Sequence, residues 1–368
     1  MNHAQLLASL KHLNKIPTAP FYEFDITNAL HAIIRKHGLD YSTDAYGNTL
    51  IHIYNGKPKH TVAFVAHLDH PAFQVVAVNK KHVICTPTGQ IPIVGLAGTK
   101  VLFPKCKNGP LSGHIHSIKT THGTPRRLKQ AVIQIAAQNH LPAINDFAIF
   151  DLLSFKQRGP RLHLRVADDL AGVCAILAAL VRLARNKSKC DAWGIFTRAE
   201  EVGFHGAIAL AKSNFLKRDT TIISVECSNA YGDITLGKGP VVRLGDRSGP
   251  FNPRAVALVA GAARHLDPKK FLFQSALMST GSCEATAFNA FGYPSAGIAL
   301  PLKNYHNLGS KRPVPEQIDA RDLFLAVDLI FATAERAGDG VDDLSLLRQQ
   351  LVKHSKFGRR KLLSTHHR

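Results

Sequence analysis

The chain of 368 residues lacks the features of membrane-spanning and secreted proteins. It has no apolar run long enough to cross a bilayer as a helix. The first eleven residues lack the charged, apolar and small-residue regions of a secretory signal. We therefore expect a cytoplasmic protein with no membrane partner.

The sequence also lacks a cysteine framework. Its six cysteines show no CxxC spacing and no regular pattern, which is typical of reduced and mostly buried thiols. Cys227 and Cys283 lie close to the polar motifs described below, so a cysteine nucleophile is one alternative. Neither has an evident His-Asp partner in the sequence, which disfavours that alternative.

Acidic residues are scarce beside basic ones. The chain carries 26 Asp and Glu against 46 Lys and Arg, a formal net charge of +20. Part of the excess lies in the tail at residues 353–361 and part at residues 126–129. Such charge attracts anions in general, but no nucleic-acid-binding motif accompanies it. We interpret the tail as solvated and expect no specific nucleic-acid partner.

The apolar content of 45% is enough for a sizeable core, and the patterns predict an α/β protein with an insertion. Residues 1–70 predict two amphipathic helices, the second ending near Gly38, and then strands of the catalytic domain. Residues 71–160 are rich in Gly, Pro and short β-type runs, which indicates an inserted β-rich domain. Residues 161–340 alternate strands with helices, typical of a mixed sheet covered by helices on both faces. A helix and basic tail follow at 341–368.

The first polar motif ends an apolar run. Residues 62–66 lead into His67 and Asp69, which are spaced by two and so point to the same side of a strand. His67 is a candidate metal ligand, and Asp69 is a candidate hydrogen-bond acceptor that orients its imidazole. Taken alone, the motif also fits a strand end that meets water.

Two acidic pairs follow. Asp168 and Asp169 precede a strongly helical stretch, where a carboxylate either caps the helix or bridges two cations. Glu200 and Glu201 follow another apolar strand and open onto a Gly-rich turn. Beside a metal, one glutamate can be a ligand while the other is a general base. Such a pair is also common on solvated helices.

Two further residues complete the set. Glu226 ends a strand too apolar to lie on the surface, and an unpaired buried carboxylate is costly unless a cation is nearby. His306 follows the apolar run 296–300 and supplies a second imidazole. In an α/β sheet, side chains at the carboxyl ends of neighbouring strands converge on one crevice. The motifs together therefore indicate a two-metal hydrolase.

In this order and context the motifs resemble the co-catalytic zinc aminopeptidases, most closely the glutamyl and tetrahedral (deblocking) aminopeptidase family. The resemblance runs from about residue 5 to about residue 338 and implies a zinc-exopeptidase-like fold. It also implies that Glu200 is the general base. We place Asp69, which orients the imidazole of His67, with Glu200 as a catalytic residue. The resemblance implies the following metal ligands: His67, Asp168 and Glu226 for one ion, and Asp168, Glu201 and His306 for the other.

Three departures from the family pattern stand out. His70 and Pro71 follow the first motif where the family usually continues with an acid. Glu226 stands where an Asp is usual. Residues 281–285, Gly-Ser-Cys-Glu-Ala, replace a Gly-Thr-Asp-Ala-like turn. Since every ligand position still holds a competent donor, these changes bear on substrate preference more than on metal binding.

The function that follows is hydrolysis of the N-terminal residues of peptides. Water activated between two divalent cations attacks the amide, and Glu200 passes the water's proton to the leaving amine. Zn²⁺ is the metal that we expect first, with Co²⁺ or Mn²⁺ as alternatives. Glu284 is a candidate partner for the substrate ammonium. The resemblance also implies a homo-oligomer, with the inserted domain at subunit contacts or substrate access.

Two other functions stay open at this stage. A metal-dependent deacylase or amidohydrolase acting on small N-acyl substrates would use the same metal core. A binding or scaffold protein could keep the fold without activity, although the base and ligand positions are all occupied by competent residues. The first alternative predicts turnover of substrates whose amine is blocked, and the second predicts no dependence on Glu200.

Overall fold

The computed structural model describes residues 1–79, 82–107, 109–135 and 141–365. These residues form a mixed α/β structure with one large sheet, a closed antiparallel barrel and a small three-stranded sheet. The predicted fold class, a mixed sheet with helices on both faces and a small β-rich insertion, is confirmed.

The large sheet has nine strands within the described residues. They are β1 (Ser42–Thr43), β2 (Thr49–Asn55), β3 (Thr61–His67), β12 (Cys190–Thr197), β13 (Thr221–Asn229), β14 (Val241–Asp246), β15 (Gly249–Pro250), β16 (Gln274–Met278) and β17 (Ser295–Leu302). Their order is β1-β2-β12-β3-β13-β17-β14-β15, with β16 paired to β14. The central strands β12, β3, β13 and β17 are parallel, so their carboxyl ends share one edge.

Helices cover both faces of this sheet. They are α1 (His3–Leu13), α2 (Phe24–Lys36), α3 (Leu170–Asn186), α4 (His205–Lys212), α5 (Pro253–His265), α6 (Glu284–Ala290), α7 (Ala320–Asp339) and α8 (Asp343–Thr365). Along β3, Val62 and Phe64 belong to the core under α3 and α7, whereas Ala63 and Val65 belong to the core under α4 and α6. A strand buried on both faces reads as a continuous apolar run, which is why β3 was recognisable in the sequence.

Helix α3 begins beside the predicted acidic pair. The Asp169 carboxylate accepts a hydrogen bond from the Gly172 amide at 3.2 Å and caps the helix. A Cβ at position 172 would lie 2.4 Å from the Asp169 carboxylate and 2.7 Å from the Val225 carbonyl oxygen. Only glycine therefore allows α3 to start this close to β13, which brings Asp168 to the edge of the sheet.

The barrel is formed by six strands of the described chain. They are β4 (Ala72–Asn79), β5 (His82–Thr88), β6 (Lys100–Phe103), β7 (Leu111–Thr120), β8 (Leu128–Ile135) and β9 (Phe147–Phe150). Alternate side chains along β7 are buried, as expected for strands that wrap one apolar core. That core contains Phe73, Val101 and Phe103, and Phe73 packs edge-to-face on Phe150.

The small sheet links the two halves of the chain. It contains β10 (Phe155–Arg158), β11 (Arg161–Leu164) and β18 (Glu316–Asp319), and β11 pairs antiparallel with both neighbours. β10 thus pairs outside the barrel, although it lies within the predicted insertion, 71–160. The domain boundaries themselves stay predictions.

The helix predicted near the C-terminus is α8, which contacts α5 and has most of its described side chains exposed. Among the described residues, every helix is too short or too polar to cross a membrane. The end of the basic tail, residues 366–368, lies outside the described residues.

Candidate metal centre

Six of the side chains predicted from the sequence meet at the carboxyl edge of the large sheet. His67 is the last residue of β3, and Glu226 lies near the end of β13. Glu200 and Glu201 follow β12, and His306 lies in a 3-10 turn after β17. Asp168 reaches the same point from the start of α3. The parallel strand order therefore gathers residues that are far apart in the chain.

One group of donor atoms contains His67, Asp168 and Glu226. The Nε2 of His67 lies 3.5 Å from Oδ1 of Asp168 and 3.7 Å from Oε2 of Glu226. All three side chains are buried, and their donor atoms lie within 4.8 Å of one another. This is a compact set of one nitrogen and two oxygen donors.

A second group shares Asp168 with the first. Oδ2 of Asp168 lies 3.8 Å from Nε2 of His306, which is 3.1 Å from Oε1 of Glu201. The two oxygens of Asp168 thus face different histidines. An arrangement of this kind suits one carboxylate that bridges two cations.

Buried polar atoms without partners test whether this site fits metal ions. Oδ1 of Asp168, Oε1 of Glu201 and Nε2 of His306 are buried and have no hydrogen-bond partner within the described part of the chain. Buried polar groups are rarely left unpaired, because each one costs free energy. All three belong to the proposed ligand set, and nitrogen and carboxylate oxygen suit Zn²⁺ and similar ions. The residues present therefore fit two divalent cations.

Backbone carbonyls orient both imidazoles. The Nδ1 of His67 lies 3.2 Å from the Asp69 carbonyl oxygen, and the Nδ1 of His306 lies 2.7 Å from the Gln90 carbonyl oxygen. A carbonyl can only accept, so each Nδ1 carries the proton and each Nε2 offers its lone pair to the site. Gln90 follows β5 of the barrel, so the inserted strands take part in holding His306.

Asp69 makes its closest contacts with the acidic pair. Its two oxygens accept hydrogen bonds from the Glu200 and Glu201 amides, each at 3.0 Å. Its distance to Nδ1 of His67 is longer, 3.7 Å. The sequence pointed to Asp69 as an orienting group for His67, and the structure adds that this carboxylate holds the Glu200–Glu201 backbone.

The same backbone segment is held from α2. Glu23, which is fully buried, accepts a hydrogen bond from the Ala199 amide at 2.9 Å and pairs with Arg198 at 2.8 Å. Ala199 has a positive φ of 52°. Such a conformation persists only when surrounding contacts impose it, and two buried carboxylates do so here. Sequence analysis missed Glu23, because an acid near a helix start is ordinarily a surface cap.

The electrostatics of the cluster favour added positive charge. Burial, together with the neighbouring acids, raises the pKa of Glu200 well above its ordinary value, and burial with Asp168 raises that of Glu226 to about 7. Burial alone would lower the pKa of His306, but Glu201 and Asp168 raise it to about 9. Several carboxylates packed around two imidazoles repel one another unless protons or cations neutralise them.

Three further residues of the site were missed in the sequence. His70 lies 2.9 Å through Nδ1 from the Asp168 carbonyl oxygen and 3.1 Å through Nε2 from Oδ1 of Asn307. Glu316 accepts hydrogen bonds from the amides around Asp168 and from His306. In the sequence, His70 is recognisable only as a departure from the family pattern. Glu316 lies in a polar stretch without an apolar strand before it, so no sequence signal marks it.

Three sequence-based candidates lie in places that do not favour their roles. Glu284 has no exposed surface, bonds to Thr197, and is not among the residues that line the cavity, so it is poorly placed to meet a substrate ammonium. Burial raises the pKa of Cys283 to about 12 and that of Cys227 well above its ordinary value. Both cysteines are thus held as thiols, which disfavours a cysteine nucleophile.

A cavity of about 340 Å³ opens above the cluster. Its lining contains the six predicted side chains, together with Phe204 and Gln90. Arg243 and Arg247 also line it, and they are the only basic side chains apart from the histidines among its described lining residues. A substrate in this cavity would therefore meet both an acidic cluster and two arginines.

Residues 47–329, more than three quarters of the chain, match the model of the M42 glutamyl aminopeptidase family. The chain belongs to this family. It is therefore a metal-dependent aminopeptidase, a hydrolase of peptide bonds, as the sequence motifs predicted.

Solved structures of similar proteins agree with this assignment. The TET1 peptidase of Pyrococcus horikoshii is 26% identical, with 89% of this chain and 99% of that chain covered and a TM-score of 0.74. An aminopeptidase of the archaeon Desulfurococcus kamchatkensis is 21% identical, with 91% and 95% covered and a TM-score of 0.77. Yeast aminopeptidase 1 is 12% identical over 91% and 97%, with a TM-score of 0.65. The last two show the shared fold.

Proposed function

We propose that this M42 aminopeptidase hydrolyses peptides with two divalent cations, one held by His67, Asp168 and Glu226 and one by Asp168, Glu201 and His306. The observation that carries this proposal is the pair of donor groups that share Asp168. The three unpartnered ligand atoms support it, since each would find its partner in a cation. Zn²⁺ is the ion that we expect first, with Co²⁺ and Mn²⁺ as alternatives.

Glu200 is the proposed general base. Its carboxylate lies 3.8 Å from Nε2 of His67 and lines the cavity. It belongs to neither of the two groups that share Asp168, and its donor atom lies near those of His67 and Glu201. Bound cations would acidify water and polarise the scissile carbonyl. Glu200 removes the proton from the attacking water and then delivers it to the leaving amine. Asp69 supports this step, because it fixes the backbone amides of Glu200 and Glu201.

The proposal extends to the side chain of the N-terminal substrate residue. Arg243 is buried, and among the described residues its Nε has no hydrogen-bond partner while its Nη1 donates to Ser228 at 3.3 Å. Arg247 lines the same wall and is exposed. Arginine pairs well with carboxylates, and the family carries the description glutamyl aminopeptidase. We therefore expect a preference for N-terminal Glu or Asp.

Replacement of Arg247 tests that preference. Arg247→Gln should lower kcat/KM for Glu-p-nitroanilide roughly 5- to 150-fold, a loss of about 1–3 kcal/mol in transition-state stabilisation. The kcat/KM for Leu-p-nitroanilide should stay nearly unchanged. Arg254→Gln, an exposed arginine at the start of α5 outside this cavity, is the matched control. An unchanged Glu-to-Leu ratio in Arg247→Gln would remove this residue from substrate recognition.

We also propose a homo-oligomer in the cytoplasm that acts on peptide substrates, with no membrane and no specific nucleic acid as partner. The TET1 peptidase of P. horikoshii assembles into a tetrahedron or a large octahedral shell. We propose the insertion at 71–160, with its barrel, as the region for subunit contacts or substrate access, between catalytic segments 1–70 and 161–340. The particle mass in solution, measured by light scattering, tests the assembly.

The direct test of the reaction compares free and blocked amines. Wild-type enzyme should release the first residue of an unblocked peptide and leave its N-acetylated form intact, and Glu200→Gln should retain its metals but lose turnover. Cleavage of the acetylated peptide at a similar rate would instead indicate a deacylase or a broader amidohydrolase. Turnover indifferent to Glu200 would contradict the proposed base.

A further inference from the structure

Glu316 connects the two segments that carry the shared carboxylate and the second histidine. It is the first residue of β18 and has no exposed surface. It stands opposite Leu164 in the antiparallel pair of β18 with β11, so the chain that leaves β11 towards Asp168 passes its side chain. The 3-10 turn that carries His306 lies ten residues before it.

Both carboxylate oxygens of Glu316 are used as acceptors. Oε2 accepts hydrogen bonds from the Ala167 amide at 2.7 Å and the Asp168 amide at 3.0 Å. Oε1 accepts a hydrogen bond from the His306 amide at 2.8 Å. One side chain therefore fixes the backbone of two proposed ligands that come from different parts of the chain.

These three hydrogen bonds require a carboxylate. An ionised Glu offers two acceptor oxygens and no donor, whereas Gln offers one oxygen and an NH₂ group. In a Gln at this position, the NH₂ group would face either the His306 amide or the Ala167 and Asp168 amides. At least one donor would then meet another donor in a buried place, which is costly.

Other contacts at His306 do not make Glu316 redundant. His306 has a positive φ of 52°, a conformation that an L residue rarely adopts without support. Its ring is held by Gln90 through Nδ1 and stacks on Tyr305, but Glu316 holds the His306 amide. Loss of this bond would free the backbone of His306 while the ring contacts remained.

We infer that Glu316 is a positioning residue for the second metal group, because it sets the backbone of Asp168 and His306 so that their side chains face one another. The inference rests on the proposed two-metal function. In the first group, Glu316 supports only Asp168, because His67 lies on β3 and Glu226 lies on β13. The effect of losing Glu316 should therefore fall mainly on the ion held by Asp168, Glu201 and His306.

The test measures metal binding in Glu316→Gln with Asp322→Asn as the matched control. Asp322 is a fully buried carboxylate that accepts hydrogen bonds from the Gly237 and Gly239 amides at 2.7 and 2.8 Å. Both variants lose acceptor capacity for buried amides, but Asp322 belongs to neither donor group. Zn²⁺ titration by calorimetry and metals per folded subunit are the readouts, with the melting temperature measured beside them.

The expected result is a weaker second metal in Glu316→Gln only. Removal of a group that orients metal ligands typically lowers metal affinity by about 10- to 100-fold, and we expect that loss for one of two ions. Asp322→Asn should bind two ions as wild type does, even if its melting temperature falls as far as that of Glu316→Gln. If Glu316→Gln fails to fold, Glu316→Asp, whose shorter side chain cannot span both segments, replaces it.

Other outcomes overturn the inference. Two ions bound with wild-type affinity in the Glu316 variant would show that Glu316 does not position the group. Equal metal loss in the Glu316 and Asp322 variants would reduce its role to general stability. A wild-type enzyme that binds fewer than two ions would overturn the proposed two-metal function first, and this result is read from the wild type alone.

Discussion

The carboxyl edge of the large sheet and the interior of the barrel are both buried, but they bury side chains of opposite polarity. The barrel interior contains only apolar side chains among its described core residues, such as Val75, Ile115 and Ile133. The sheet edge gathers the buried acids Asp168, Glu200 and Glu226, and among the described residues Oδ1 of Asp168 has no hydrogen-bond partner. One region gains stability from apolar burial, whereas the other gives up stability and gains a reactive site.

A hydrogen bond nevertheless joins the two regions. The Gln90 carbonyl, just after the barrel's second strand, accepts the Nδ1 proton of His306. Gly89, just before it, has a positive φ and lies against Pro71 and Glu201. The barrel therefore contributes backbone geometry rather than a side chain to the metal centre. Changes at the sheet edge should alter catalysis, and changes in the barrel core should alter stability.

The largest effect is expected from Glu200→Gln. Loss of a general base typically lowers the rate by about 10²- to 10⁴-fold, while both donor groups around Asp168 keep their residues. Steady-state kcat and metals per subunit measure the two quantities in the same preparation. Asp328→Asn, a half-exposed acid on α7, should leave both unchanged. Loss of metal together with activity would mean that Glu200 is itself a ligand.

The next largest effect is expected in the barrel core. Phe103→Ala removes a fully buried aromatic ring and should lower the free energy of unfolding by about 3–5 kcal/mol. Denaturant unfolding checks the loss, and kcat per folded subunit should stay near that of wild type. Val76→Ala, at a largely exposed position of the same barrel, should cost about 0.5 kcal/mol or less. A large fall in kcat for Phe103→Ala would erase the contrast between the two regions.

Metal removal should destabilise the sheet edge. A ligand present at 100 times its dissociation constant stabilises the folded state by about 2.7 kcal/mol per site. Chelated enzyme should therefore melt at a lower temperature and lose activity, and Zn²⁺ should restore both. Differential scanning calorimetry with and without chelator measures the shift. The same melting temperature in both states would contradict a folded-state metal site.

The smallest effect is expected at the contact between the two regions. An Ala at position 89 would adopt a φ of +94° and bring its Cβ to 3.2 Å from Pro71 and 3.3 Å from Glu201. We expect kcat to fall roughly fivefold, which corresponds to a barrier higher by about 1 kcal/mol, because the Gln90 carbonyl moves away from His306. Gly123→Ala, with a φ of +99° and open space around it, is the control for backbone strain alone. Equal kcat values for both variants would remove the coupling.

The sequence predicted the parts of the molecule whose signals are local. His67 ends β3 and Glu226 lies near the end of β13, and both strands are buried on both faces and read as uninterrupted apolar runs. The alternation of strands and helices indicated the mixed sheet, and the short β-type runs indicated the insertion. The match to the M42 family confirms the family, and the solved structures of similar proteins confirm the fold class. The metal ligands and Glu200 lie together, and their roles stay proposals.

The rest depended on contacts between distant segments. Gln90 acts through its backbone carbonyl, so its residue type carries no signal. Glu316 lies 148 residues from Asp168 and in a polar stretch, where an acid would be expected at the surface. The actual partners of Asp69, the amides of Glu200 and Glu201, depend on the neighbouring positions of β3 and β12. Register and tertiary contact, rather than composition, determine these roles.

The most direct test of the central claim is the number of metal ions per subunit in wild type and in His306→Ala, measured by elemental analysis after equilibration with Zn²⁺. The account predicts close to two ions in wild type and close to one in the variant, because His67, Asp168 and Glu226 still form a complete group. Close to one ion or fewer in wild type, or two ions in both proteins, would contradict it.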